Sequence, residues 1–160
     1  NDTFDLTGII AAANRDTITD FLTGDVVRLS DNLTTRTGTG TSVFANVAQS
    51  SSVTLNTSTS DVFCFNFNNT ESDVNLGTVT IGSALLDGLN SAAGSASLST
   101  SASGGKGYIL AYDNDNAYLY YFNAGNNKAV TATEINLIGI FDSQNAIAVN
   151  SLVNSNFAMI

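Results

Sequence analysis

The sequence predicts a mainly β protein, built as a sandwich or a β-roll-like arrangement of antiparallel sheets with one short helix. The apolar residues fall in short runs rich in β-branched and aromatic side chains, and clusters of Gly, Asn, Asp and Ser separate the runs. Proline is absent, so nothing in the composition blocks strand pairing, even at a sheet edge. Strands are expected over residues 26–30, 42–48, 52–57, 61–67, 77–82, 107–112, 117–123, 134–141 and 156–160.

The clearest alternation is in "DVFCFNF", residues 61–67. Phe63, Phe65 and Phe67 fall on one face of this strand, and the period of two assigns that face to the core. Cys64 lies between them and is interpreted as a small buried hydrophobic side chain rather than a reactive thiol.

The best hairpin is "GYILAYDNDNAYLYYFN", residues 107–123. Two aromatic-rich strands flank the stretch from Asp113 to Asn116, whose residue types tolerate turn conformations. A tight loop is favoured here over a calcium-binding loop.

One short helix is predicted within residues 83–94, because Leu85, Leu86 and Leu89 share one side at helical spacing and Gly94 supplies an end. The next segment, "SASLSTSASGGKG" at 95–107, is small and polar, which predicts a flexible connection on the surface.

Composition limits the classes of function. The 160 residues suffice for one domain with a substantial core. Charged residues make up only 12%, so Asn, Ser, Thr and Gly must form most of the surface, as in an extracellular protein. Five Lys and Arg against 14 Asp and Glu give a net charge of −9, which repels phosphate backbones and argues against nucleic acid as a partner. No stretch approaches the roughly 20 apolar residues of a membrane-spanning helix.

The inventory of reactive side chains argues against an enzyme. Histidine is absent and Cys64 is the one cysteine, which excludes a Ser-His-Asp triad, a histidine-based zinc site and an internal disulfide. Glu71 and Glu134 show no spacing suited to a catalytic carboxylate pair. "SGGKG" at 103–107 lacks the spacing of a phosphate-binding loop and its Ser or Thr after the Lys.

The opening segment, "NDTFDLTGIIAAANRDTITDFLTGDVVRLSDN", resembles the place where RTX (haemolysin-type calcium-binding) repeats end and the C-terminal flanking region of a type I-secreted bacterial protein begins. Asn1 to Phe4 match positions five to eight of the repeat G-G-x-G-x-D-x-U-x, whose turns form a parallel β-roll around Ca²⁺. Residues 107–160 also resemble the ends of RTX-containing surface and S-layer-type proteins. The resemblance divides the chain into a repeat end and capping segment, 1–35, and a C-terminal β domain, 36–160, expected to form one compact unit.

This resemblance implies a calcium site with Asp2, Asp16 and Asp20 as candidate ligands. Ca²⁺ takes 6–8 oxygen ligands, so half a repeat needs a second contributor, either "DTITDF" or residues upstream. Arg28 stands where many members carry a second acid, which argues against a metal at that point. The alternative is that Asp16 and Asp20 are turn and capping residues that accept backbone hydrogen bonds.

Two functions follow from the resemblance. The first is a non-enzymatic extracellular domain that assembles with copies of itself into a surface layer or filament, assisted by calcium that screens the negative charge. The second is a passive secretion and folding cap for an upstream hydrolase or adhesin. Both imply export through the type I secretion machinery.

The apolar tail, "LVNSNFAMI" at 152–160, would be a liability if it stayed exposed. The resemblance makes Phe157, Met159 and Ile160 part of the signal that the secretion machinery recognises in the unfolded chain. Alternation puts Phe157 and Met159 on the face opposite Ile160, so residues 156–160 are predicted to fold as a final strand with Phe157 in the core.

Overall fold

The computed structural model describes residues 2–22, 24–36, 40–41, 43–67, 76–78, 80–89, 97–113, 116–142 and 152–160. In these residues the chain forms thirteen strands and one α-helix, α1 (Ser83–Leu89), which confirms the mainly β fold class with one short helix. The strands are β1 (Thr3–Asp5), β2 (Asp16–Ile18), β3 (Val26–Leu29), β4 (Gly40–Thr41), β5 (Phe44–Asn46), β6 (Ser52–Leu55), β7 (Val62–Asn66), β8 (Ser97–Thr100), β9 (Lys106–Asp113), β10 (Asn116–Asn123), β11 (Ala129–Val130), β12 (Ile135–Phe141) and β13 (Phe157–Met159).

A six-stranded sheet, ordered β2-β12-β10-β9-β7-β5, forms the centre. The predicted hairpin is confirmed, since β9 and β10 pair antiparallel with Asp113 opposite Asn116, while residues 114 and 115 of its turn lie outside the described residues. The predicted antiparallel pairing holds for only part of the sheets, because β7 pairs parallel with β9 and β2 parallel with β12. Parallel neighbours need a crossover, and the chain from 67 to 105 provides it for β7 and β9.

Two smaller sheets cover the central one. The four-stranded sheet is ordered β1-β3-β13-β4, and the three-stranded sheet β11-β8-β6. The predicted final strand is confirmed as β13, which lies between β3 and β4. The segment 1–35 contributes β1, β2 and β3, and two of these strands are hydrogen-bonded to strands of the segment 36–160.

The central sheet is buried on both faces. Phe63, Phe65 and Phe67 lie in one core, as predicted, and that core also includes side chains of α1 and of the three-stranded sheet. Cys64, 5% exposed, points to a second core shared with the four-stranded sheet. The buried, structural interpretation of Cys64 is therefore confirmed, and its burial raises the pKa of the thiol to about 12.

Two predicted segments are wrong. The described residues of 77–82, which leave out residue 79, form no strand: a 3₁₀ turn covers Leu76–Thr78, and Ile81 makes an isolated bridge to Asn136. Gly82 lies so close to Ile135 that an added Cβ would stand 2.5 Å from the Ile135 Cβ atom, so a larger residue does not fit at this approach to β12.

The flexible connection expected at 95–107 contains two strand segments in its described residues, because β8 occupies Ser97–Thr100 and β9 begins at Lys106. Leu98 is buried and anchors β8 to the core. The helix ends at Leu89, and residues 90–96, including the predicted end at Gly94, lie outside the described residues. Within the described part of the chain, no helix combines the length and hydropathy needed to cross a bilayer.

Candidate functional site

One buried polar group is the carboxylate of Asp25, which lies just before β3 and is 2% exposed. Its Oδ1 accepts a hydrogen bond from the Asp2 N–H at 2.7 Å, and its Oδ2 accepts one from the Leu22 N–H at 2.8 Å. These bonds to the ionised form hold the pKa of Asp25 below its usual value. The carboxylate therefore ties the N-terminal strand to the loop that precedes β3.

The same residue is tied to the tail of the chain. The Asn156 side-chain amide donates to the Asp25 carbonyl at 3.0 Å, and its Oδ1 accepts from the Val153 N–H at 3.0 Å. Sequence reasoning missed both residues. An acid after Gly24 and before an apolar run is a turn signal that could have found Asp25, whereas nothing local links it to Asn156, 131 positions away.

Replacing Asp25 by Asn should lower the free energy of unfolding and make that free energy depend less on pH in the acid range. The pKa of Asp25 is lower in the folded protein than in the unfolded chain, where it is about 3.9. The ionised carboxylate therefore stabilises the fold fully above about pH 3.9, and this stabilisation is lost as the pH falls through the folded-state pKa. The Asp25→Asn variant should thus melt below the wild type at pH 7, and the gap should narrow towards pH 2. Calorimetry at a series of pH values from 7 to 2 measures the melting temperatures of the variant and the wild type. Asp20→Asn, at an exposed position, is the control, and parallel pH profiles for Asp25→Asn and the wild type would contradict the role.

The three aspartates proposed as calcium ligands are all exposed. Asp2 lies beside Asp25 through its backbone, and Asp20 lies two residues before Leu22. Asp16 lies on β2 opposite Gly139, away from that corner. Within the described ranges, no group of three or more His, Cys, Asp or Glu side chains is placed to hold a metal ion. Calcium binding stays a prediction.

The aromatic residues of the opening segment do pack as a unit. The Phe4 and Phe21 rings lie 5.8 Å apart between centroids, and Phe21 meets Phe141 edge-on at 5.3 Å. Phe141 in turn contacts Phe157 at 6.5 Å. Phe157 and Met159 are each 1% exposed whereas Ile160 is 53% exposed, so the predicted orientation of the tail is confirmed.

A second buried carboxylate belongs to Asp61, immediately before β7, and is fully buried. Its Oδ2 accepts from the Arg36 Nε at 2.7 Å and from the Val43 N–H at 3.0 Å. Its Oδ1 has no hydrogen-bond partner among the described residues. Breaking a buried pair of this kind leaves an uncompensated charge and is strongly destabilising, so both side chains serve the fold.

The five tyrosines all lie on β9 and β10, and at least three bond the surrounding chain through their hydroxyls. Tyr108 donates to the Ser30 carbonyl at 3.2 Å and Tyr120 to the Leu76 carbonyl at 3.3 Å. Tyr112 donates to the Leu152 carbonyl at 3.5 Å and accepts from the Leu152 N–H at 3.2 Å. Burial raises the pKa of each of these hydroxyls, which keeps them neutral and suited to holding the backbone.

No protein-family model matches the chain, and no curated protein and no solved structure matches it. The function must therefore be inferred from the described residues and their contacts.

Proposed function

We propose that this chain is a non-enzymatic extracellular structural domain that assembles with copies of itself, assisted by calcium. The buried polar groups described above support a structural role. Asp25, Asp61 and the hydroxyls of Tyr108, Tyr112 and Tyr120 are engaged in bonds that join strands and loops. A catalytic group needs a perturbed pKa together with access to a substrate, and these groups are buried and engaged by their neighbours.

The observation that carries the proposal is that, among the described residues, no strand pairs with the outer side of the edge strands of the three sheets. Each sheet ends in two strands of two to four residues, namely β1 and β4, β2 and β5, and β6 and β11. An edge strand presents unpaired backbone groups that can pair with another chain. Proteins protect such edges with very short strands, proline or lysine; the edge strands here are short, but the sequence has no proline and only five Lys and Arg.

The charge of −9 opposes this association, because every copy repels every other. Divalent calcium, whose preferred ligands are carboxylate oxygens, reduces that repulsion at low concentration. The resemblance of the opening and closing segments to RTX flanking regions agrees with this use of calcium. It also supports export through the type I secretion machinery to the cell surface or medium.

Calcium should convert the purified 160-residue chain from small to large particles, and a chelator should reverse the change. Light scattering follows the particle size, and electron microscopy shows the form of the assembly. Magnesium chloride and sodium chloride at matched ionic strength are the controls, since they show whether any salt that screens the charge has the same effect as calcium. Particles whose size does not change with the chelator would contradict the calcium requirement. A chain that stays monomeric under all these conditions would contradict self-assembly.

The strictly monomeric outcome would favour a second function, the passive secretion and folding cap of an upstream hydrolase or adhesin. One observation favours it specifically. β1 pairs parallel with β3, and β1 is the outermost strand of its sheet. A parallel strand from an upstream β-roll can therefore continue the sheet at this edge.

A further inference from the structure

Several segments of the chain have the sequence Asn-x-Ser or Asn-x-Thr, in which the Asn is an acceptor for N-linked sugars. Two of them lie entirely within the described residues, one from Asn32 to Thr34 and one from Asn56 to Ser58. Two others begin at Asn1 and Asn68 and include residues outside that part of the chain. The folded surroundings of Asn32 and Asn56 can therefore be compared.

The segment from Asn56 to Ser58 forms an exposed turn at the end of β6. The N–H groups of Thr59 and Ser60 donate to the Asn56 carbonyl at 3.1 and 3.2 Å and close the turn. Thr57 is fully buried and anchors the turn, whereas Asn56 and Ser58 are exposed. A transferase can therefore reach the acceptor while the protein stays folded.

The hydroxyl and the amide of this segment contact each other directly. Ser58 Oγ donates to Asn56 Oδ1 at 2.8 Å. This bond favours the deprotonated amide, because a donor at Oδ1 stabilises the negative charge shared by Oδ1 and Nδ2. Nδ2 is the atom that attacks a sugar, and among the described residues none forms a hydrogen bond with it. The nucleophile is thus exposed, free and assisted by its neighbour.

The segment from Asn32 to Thr34 lacks this arrangement. The Thr34 hydroxyl donates to the carbonyls of Asp31 at 3.1 Å and Arg36 at 3.0 Å, so the backbone engages it and the Asn32 amide does not. Asn32 also lies within a 3₁₀ turn, Asp31–Leu33. The fold therefore distinguishes two segments that have the same motif.

We propose that Asn56 carries an N-linked glycan, which a transferase of the producing cell adds from a sugar activated as a diphosphate. Asn56 Nδ2 forms a bond to the anomeric carbon of the sugar, and the bond from that carbon to the diphosphate oxygen breaks. The diphosphate leaves, and the amide proton passes to a base of the transferase.

The glycan stands next to an open strand, since Asn56 directly follows β6 and β6 is the outer strand of the three-stranded sheet. A bulky, hydrated sugar at this point hinders the pairing of β6 with another chain. Self-association then uses the edges of the other two sheets. Only this consequence rests on the self-assembly proposed above.

Peptide mass spectrometry of the protein isolated from the cells that produce it is the direct test. We expect a glycan on Asn56 and an unmodified Asn32. A glycan of variable length indicates nucleotide sugars, which donate one unit at a time, and a glycan of fixed composition indicates an oligosaccharide preassembled on a lipid diphosphate. An unmodified Asn56 would overturn the proposal.

Variants of the purified chain test the role of the turn, with UDP-glucose and a soluble transferase that recognises Asn-x-Ser and Asn-x-Thr as the probe. The folded wild type should gain a glucose on Asn56, Ser58→Thr should retain it, and Ser58→Ala and Asn56→Gln should lose it. Asn32→Gln is the matched control and should react like the wild type. Circular dichroism confirms that each variant folds. A folded wild type that gains no glucose on Asn56, or gains it equally on Asn32, would contradict the selection by the fold.

The effect of the glycan on assembly is measured separately by light scattering. The glycosylated chain should associate more weakly than Asn56→Gln produced in the same cells. Equal association would contradict the shielding of β6 and not the glycosylation, whereas two forms that both stay monomeric would contradict the self-assembly.

Discussion

Raising the pH above about 10 should destabilise this protein steadily and then unfold it cooperatively. Tyr108, Tyr112 and Tyr120 are fully buried, and burial raises the pKa of each above its unfolded value. Above the unfolded pKa only the unfolded chain loses these protons, so stability falls as pH rises. Each such group removes about 1.4 kcal/mol per pH unit, and the three tyrosines together about 4 kcal/mol.

Urea unfolding at a series of pH values measures this slope, and ultraviolet absorbance reports tyrosinate directly. Cys64, with its pKa raised to about 12, adds to the loss at somewhat lower pH. Tyr120→Phe should reduce the slope by about 1.4 kcal/mol per pH unit, whatever its effect at neutral pH. Phe122→Leu is the control, since it lowers stability without removing a titratable group. Tyrosinate that forms in the folded protein near pH 10 would contradict the assignment.

Removing the tail, Phe157 to Ile160, should lower the melting temperature more than any single exposed substitution. Phe157 packs against Phe44, with ring centroids 5.0 Å apart, and against Phe141. Truncating a buried Phe to Ala costs about 3–5 kcal/mol. The deletion also removes β13 from between β3 and β4, so it separates two strands of the four-stranded sheet.

Phe157→Ala and Ile160→Ala form a matched pair for this experiment. Ile160 is 53% exposed, so the free energy of unfolding of Ile160→Ala, measured with urea, should lie within about 0.5 kcal/mol of the wild-type value. Expressing the same two variants together with a type I secretion system and measuring how much of each is exported shows whether an effect on export is independent of the effect on stability. If Phe157→Ala melts with the wild type, the Phe157 side chain contributes no stability to the folded protein.

Local sequence patterns were sufficient wherever a segment's own alternation decided its conformation. The hairpin of β9 and β10 followed from two aromatic runs around a turn-tolerant stretch, and the orientation of Phe157 followed from the period of two. Leu85, Leu86 and Leu89 predicted α1 for the same reason, since one buried side at helical spacing is a local property.

Strand partners depended on contacts between distant parts of the chain. The parallel pairing of β7 with β9 depends on a crossover of the intervening chain, and Cys64 is buried because the four-stranded sheet covers its face. Leu98 likewise makes β8 a strand in a segment whose small polar composition predicts a loop, because a core lies beneath it.

Composition alone determined that this is a low-charge, acidic protein without histidine and with a single cysteine, and the alternation of apolar residues predicted the mainly β fold, since both are properties of the chain itself. Only the tertiary structure decided which acids matter to the fold. Asp2, Asp16 and Asp20 stand exposed, whereas Asp25 is buried through backbone groups of Asp2 and Leu22 and the side chain of Asn156. A carboxylate's burial and pKa depend on neighbours far away in sequence, and these neighbours are defined only when the strands have paired.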